Sequence, residues 1–256
     1  MTYTTLSYHK NGYRILLTLL LTCLLAFGSN SAQAVLELEW AKSAGSSSGD
    51  SSHAVAVDDS GNTYVTGSYG GEEGNVGPSA IFGAGEAGET ALSLGTDRFR
   101  MFVAKYTPSG NLIWAKRSGG STFVTGNDIA VDSSGNTYVT GSFFQISGST
   151  TIFGPGEANE TTFTNDIEIP TFDEFDNAFN DMFVAKYAAD GSLVWVKHAG
   201  GSNPDDRNPT GVSGFGIAVD VSGNTYVTGN FAESATFGPG EVGETTLTSD
   251  GAKDIL

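Results

Sequence analysis

Cysteine is almost absent from this chain: Cys23 is the only one in 256 residues. It lies in an N-terminal apolar run, so removal of that run leaves no disulfide and no thiol chemistry. Basic residues are few, 12 Lys and Arg against 29 Asp and Glu, for a formal net charge of −17. That balance argues against nucleic acid as a partner, because such binding rests on Lys and Arg neutralising phosphates. It also disfavours anionic membrane surfaces. After residue 34 the histidines are His53 and His198, in non-equivalent places. They build no Ser-His-Asp arrangement, and no catalytic residue is assigned. No stretch carries a helical period.

The N-terminus has an address. Lys10 and Arg14 precede an apolar run at 15–27, and Ala32-Gln33-Ala34 is a small-x-small cleavage signal. This reads as a secretory signal peptide over 1–34. Thirteen apolar residues fall short of the ~20 that span a bilayer, so no membrane span is expected in the mature chain. Cys23 lacks the Gly or Ala that normally precedes a lipidated cysteine. Loss of Lys10 and Arg14 with the leader takes the formal charge to −19, from −17. The expected location is secreted or cell-surface, with the periplasm as a further option.

What is present in abundance is glycine, 35 residues, and repetition. Asp-x-Ser-Gly-Asn-Thr-Tyr-Val-Thr-Gly occurs at 58–67, 132–141 and 220–229. Met-Phe-Val-Ala-Lys-Tyr occurs at 101–106 and 182–187. A tryptophan phrase occurs as Trp40-Ala41-Lys42, Trp114-Ala115-Lys116 and Trp195-Val196-Lys197. A fixed order of recurring phrases means an array of one supersecondary unit.

In the second copy, 128–131 predicts a short strand, 132–136 a tight turn and 137–140 a second strand. Residues 182–187 and 193–197 predict a third and fourth, joined by a turn at 189–192. In these turns Asp and Ser accept backbone hydrogen bonds and Gly supplies positive φ. Each unit is therefore a four-stranded antiparallel meander, apolar on both faces (Phe183, Val184 and Ala185 in a row). Such a sheet must be covered on both sides. Stacking the units face to face does this, and the expected fold is an all-β propeller, with a β-sandwich or a β-solenoid as the other options.

The third strand begins 13 residues before its tryptophan in both full copies. Gly67 to Met101 is 34 residues, but Gly141 to Met182 is 41. Variation is confined to the second-to-third and fourth-to-first connections, which lie at one edge of a meander. Loops that vary on a constant scaffold are where binding is usually placed. The expected partner is therefore an unknown protein or glycan on this insertion-bearing face.

The phrases 129–132, 135–141, 153–154, 181–187 and 191–201, with equivalents at 53–120 and 212–256, resemble the bacterial β-propeller repeat family called SBBP. The resemblance implies a propeller, of seven blades in a complete ring, in exported or surface proteins. It implies no activity and no catalytic residue. Two departures stand out. Arg100 replaces the aspartate seen at Asp181, and only about two full units plus partial ones are present. On this reading 35–45 is an outer strand, 51–118 and 125–200 are blades, and 212–256 is an incomplete blade. Residues 249–256 read as the start of a further third strand, so the expectation is a fragment of a longer gene product.

Candidate chemistry is thin. Asp-x-Ser-Gly-Asn lacks the calcium-loop spacing and its distal Glu, and a turn explains its residues. The second insertion holds Glu157, Glu160, Asp166, Glu168, Asp173, Glu174, Asp176 and Asp181 with no Lys or Arg. Its central set of Asp166, Glu168, Asp173, Glu174 and Asp176 is the candidate Ca²⁺ site, against a solvated acidic loop. No other cofactor is implied. Phe-Gly-x-Gly-Glu at 82–86, 153–157 and 237–241 reads as a turn with a Phe anchor. The tryptophans read as packing, with sugar stacking as the other option. The functional expectation is an exported, non-catalytic binding, adhesion or structural scaffold. The alternatives are a propeller hydrolase or lyase acting on extracellular polysaccharide, tested at Glu174 and Asp176, or a calcium-stabilised surface module.

Overall fold

The computed structural model describes residues 37–70, 79–93, 99–145, 148–164, 179–200, 211–251 and 253–256. The predicted leader and the candidate Ca²⁺ residues Asp166, Glu168, Asp173, Glu174 and Asp176 lie outside the described residues. By its contacts the chain divides after Leu38, and residues 39–256 form the unit that carries every strand.

Every regular element among the described residues is a strand. β1 (Gly49–Val57), β2 (Thr63–Gly70), β5 (Arg100–Tyr106) and β6 (Leu112–Gly120) make the first antiparallel meander. β7 (Val124–Val131), β8 (Thr137–Gln145), β11 (Phe179–Tyr187) and β12 (Leu193–Gly200) repeat it. β13 (Val212–Val219), β14 (Thr225–Phe231) and β17 (Asp254–Ile255) make a three-stranded third sheet. These are the meanders expected from the repeats, with strands a few residues longer at the variable edge.

The second-to-third connection is not a free loop along its whole length. It holds a short hairpin: β3 (Ala80–Phe82) with β4 (Thr90–Leu92), β9 (Thr150–Phe153) with β10 (Thr161–Thr164), and β15 (Ser234–Phe237) with β16 (Thr245–Thr248). Each hairpin joins the unit before its own. β9 pairs with β6, Ser118 opposite Phe153, and β15 pairs with β12, Ala199 opposite Phe237. Gly45 makes the same bridge to Ile81, so segment 39–45 stands where a fourth strand would be. Two of the sheets are thus six-stranded, each completed by its successor.

Packing follows from the two apolar faces. Met101 and Val103 of β5 share one core with Val124, Val139, Phe143 and Phe183 of the next sheet and with Phe153 of β9. The first strands β1, β7 and β13 lie side by side, linked by side chains. His53 Nδ1–H donates to Gly126 O at 2.8 Å, Asn127 Nδ2 to Gly214 O at 2.8 Å, and Ile217 N to Asp128 Oδ2 at 2.8 Å. The approach is close enough that a Cβ on Gly126 would stand 2.2 Å from Thr66 Oγ1, and one on Gly214 would stand 2.3 Å from Thr140 Oγ1. Glycine at these two positions is what lets consecutive sheets touch.

Candidate functional site

The repeated polar residues can be accounted for one by one. In the second copy Asp132 Oδ1 accepts the backbone N–H of Ser134 and of Asn136, both at 2.9 Å. Its Oδ2 accepts Asn136 Nδ2 at 2.8 Å and the Tyr138 hydroxyl at 3.1 Å. Asp58 and Asp220 repeat the set with Ser60, Asn62, Tyr64 and with Ser222, Asn224, Tyr226. Burial works against the charge on Asp58 and Asp132, yet these hydrogen bonds outweigh it and hold both carboxyls below the usual range. At Asp220 the Asn224 side-chain bond leads the same lowering. Gly135 closes the turn at φ 77°, and its N–H donates to Asp132 O at 2.9 Å. Asp, Ser, Gly, Asn and Tyr are all consumed in one self-satisfied turn. Four protein donors already occupy the carboxylate that a calcium ion would need.

The following threonine belongs to the scaffold too. Thr66 Oγ1 donates to Phe102 O at 2.8 Å, Thr140 Oγ1 to Phe183 O at 2.9 Å, and Thr228 Oγ1 to Leu256 O at 2.9 Å. Lys105 and Lys186 lie over the Tyr64 and Tyr138 rings, each 4.9 Å from the centroid. That distance falls within cation–π range.

The tryptophan and Phe-Gly-x-Gly-Glu phrases meet at a node between sheets. Trp114 Nε1–H donates to Ala189 O in the next sheet at 3.1 Å, and Trp40 Nε1–H to Pro108 O at 2.9 Å. Two residues on from Trp114, Lys116 Nζ reaches Glu157 Oε1 at 2.8 Å, while Glu157 Oε2 accepts the backbone N–H of Leu193 at 2.5 Å. Lys42, Glu86 and Leu112 form the same node at 2.7 and 2.6 Å. Lys197 and Glu241 form its ion pair alone, at 2.6 Å. The second glutamates, Glu89, Glu160 and Glu244, each accept the N–H of the second hairpin glycine.

Three residues read as part of an acidic insertion are therefore placed otherwise. Glu157 and Glu160 belong to the β9–β10 turn, with Lys116 supplied by the preceding unit. Asp181 is buried in β11 beside Gly200. At the matching position Arg100 is buried, and donates to Thr122 O at 2.7 Å and to Gly120 O. No group of three or more His, Cys, Asp or Glu able to hold a metal exists among the described residues. No helix among them is long and apolar enough to cross a membrane.

Sequence reading missed the hairpin pairing and the Lys–Glu node. The signal was present: Lys42 to Glu86, Lys116 to Glu157 and Lys197 to Glu241 are separated by 44, 41 and 44 residues.

The beta-propeller repeat family SBBP matches this chain at residues 39–68 and 113–142. Each match runs from a tryptophan phrase through the first two strands of the next sheet. The family's repeat therefore straddles the boundary that the Lys–Glu node ties together. The chain is also similar to an uncharacterized WD repeat-containing protein of Acanthamoeba polyphaga mimivirus, 32% identical over 184 residues. That similarity covers 70% of this chain and 11% of the relative, so the chain spans about a tenth of the relative's length. The chain thus carries SBBP beta-propeller repeats, matched at two places, with the same turn, threonine and lysine contacts built a third time.

Proposed function

We propose that this chain is an exported, non-catalytic propeller scaffold that binds a protein or glycan through the insertion-bearing edge of its blades. One observation carries the reading. The Asp, Asn and Tyr side chains of the turns, Thr66, Thr140 and Thr228, and the Lys–Glu nodes are spent on turns, strand pairing or blade-to-blade contacts, so specificity falls to what differs between copies. What differs most is the length of the second-to-third and fourth-to-first connections, which the sequence pattern assigns to one edge of the meander. Export rests on the leader-like pattern at 1–34.

The test is retention of the purified chain on arrays of glycans and on cell surfaces. It is then repeated with the 165–178 segment replaced by a short Gly-Ser linker. Specific retention lost in the linker variant, with the urea midpoint unchanged, supports the reading. Retention indifferent to that replacement and to replacement of 71–78 removes the insertion edge as the binding surface.

A further inference from the structure

The junction between the first and second sheets keeps a polar recess at its short-turn edge. It measures about 220 Å³ and is lined by Asp58, Asp59 and Ser60 of one turn, Ser133 and Ser134 of the next, and Lys105. Both of its walls are turns and strands of this chain, so no further blade is needed to complete it. Lys105 stands opposite Tyr64 on one side and Trp114 on the other. The three side chains therefore leave one face of the first sheet and meet the turns of the second. The Tyr64 hydroxyl lies 3.4 Å from Gly135 O, and Trp114 Nε1–H donates to Ala189 O at 3.1 Å. Lys105, between them, reaches neither carbonyl. Its Nζ is 4.9 Å from the Tyr64 ring centroid and 3.9 Å from where a Cβ on Gly135 would stand. The residue is only 8% exposed, yet its ammonium enters no hydrogen bond or ion pair among the described residues. Burying a charge is costly unless it is paired. A ring face attracts the ammonium but accepts none of its three N–H donors in line. The turns leave further donors unused. They consume the backbone N–H of Ser60 and Ser134, while the hydroxyls of Ser60, Ser133 and Ser134 have no partner among the described residues.

We propose that this recess binds a single carboxylate group, at a site separate from the insertion edge and independent of the function proposed for it. A carboxylate has two oxygens and about four lone-pair sites. It can accept from Lys105 and from serine hydroxyls on both turns at once, which a chloride ion, with one centre, cannot. Charge sets the valence. Asp58 and Asp59 also line the recess. Asp58 is held by four donors of its own turn, and Asp59 is exposed at the rim. One ammonium offsets a monoanion, whereas a dianion such as phosphate adds repulsion from both aspartates. A metal cation is opposed by Lys105 itself. The next junction repeats the lysine, with Lys186 Nζ 4.9 Å from the Tyr138 centroid. There Val221 stands in place of Ser133, so the full set of donors belongs to the first junction.

The carboxylate can be a free small acid or the C-terminus of a peptide, and the test separates the two. The purified full chain is titrated by NMR at constant ionic strength, following the Gly135 amide and the Lys105 side-chain methylene next to Nζ. The titrants are acetate, a short neutral peptide with a free C-terminus, and the same peptide amidated. The expected result is saturable movement by acetate or by the free-acid peptide, and none by the amidated peptide or by chloride. Movement by acetate assigns a free acid, and movement by the peptide alone assigns a chain terminus. Lys105→Met, which keeps the stem over Tyr64, should abolish the movement of the Gly135 amide. Ser133→Val, an exposed change that installs the residue of the third copy, should weaken binding at least threefold, and stands in should Lys105→Met fail to fold. The proposal is overturned if neither carboxylate moves these signals, or if chloride or phosphate binds as tightly as either. It is equally overturned if both variants bind as tightly as the parent.

Discussion

The cleft beside Trp40 and the slot at the other end of the array began as one repeated position and have diverged. Near the C-terminal side, a space of about 270 Å³ is lined by Met182, Val184, Val227, Phe237 and Leu256. It keeps the apolar residues that meet a neighbouring strand in the filled junction. At the N-terminal side Asp50 stands where the filled junction has Val124, and Ser52 where it has Gly126. A repeat that is identical in sequence at its turns can thus differ sharply at its faces.

The largest effect tests the glycine contrast. Gly126→Ser forces a Cβ against Thr66 and should cost about 1–3 kcal/mol by overpacking, read from urea midpoints. Ser52→Gly, the reverse change at the cleft, should cost no more than about 1 kcal/mol, the backbone entropy of glycine in a strand. Equal losses at both positions would erase the distinction between the two faces.

Next comes the node. Glu157→Ala removes the partner of Lys116 and the acceptor of the Leu193 N–H, and should cost about 1–3 kcal/mol. Glu241→Ala removes only an exposed pair with Lys197 and should cost about 0–1 kcal/mol. Chemical denaturation of the two variants side by side measures the difference between a complete node and a partial one.

Acid should sharpen the same contrast more weakly. Asp58 and Asp132 have depressed carboxyls despite burial, because their turn hydrogen bonds outweigh it. A carboxyl depressed in the folded state contributes stability that is present above its unfolded value, about 3.9. That stability is lost as pH falls through the folded value. Thermal scans from pH 6 down should therefore show loss beginning near pH 4, and Asp132→Asn should flatten part of it. The smallest effect belongs to the acidic segment. If Asp166, Glu168, Asp173, Glu174 and Asp176 hold Ca²⁺, millimolar calcium should raise the melting temperature by a few degrees and EDTA should reverse it. No shift would return the segment to a solvated loop.

How far the sequence could be read depended on the range of each interaction. The Asp132 turn was legible because its donors, Ser134, Asn136 and Tyr138, lie within six residues and each has one local role. Burial of Trp114 was legible as packing because it recurs at a fixed strand position. The partner of Glu157 was not, since Lys116 lies 41 residues away and the pair forms only across a sheet boundary. Hairpin β9–β10 was hidden for a related reason. Its four-residue strands carry a weak period, and β9 finds its second partner only in β6 of the preceding unit.

The sequence by itself determined the module, its number of copies and which residues each turn consumes, because strand alternation and Asx turns are local physics. Only the tertiary structure decided that each unit completes its predecessor, and that Val124 and Gly126 close a junction between the first and second sheets. That outcome depends on which side chains from a distant strand arrive within van der Waals reach, and no spacing along the chain encodes it.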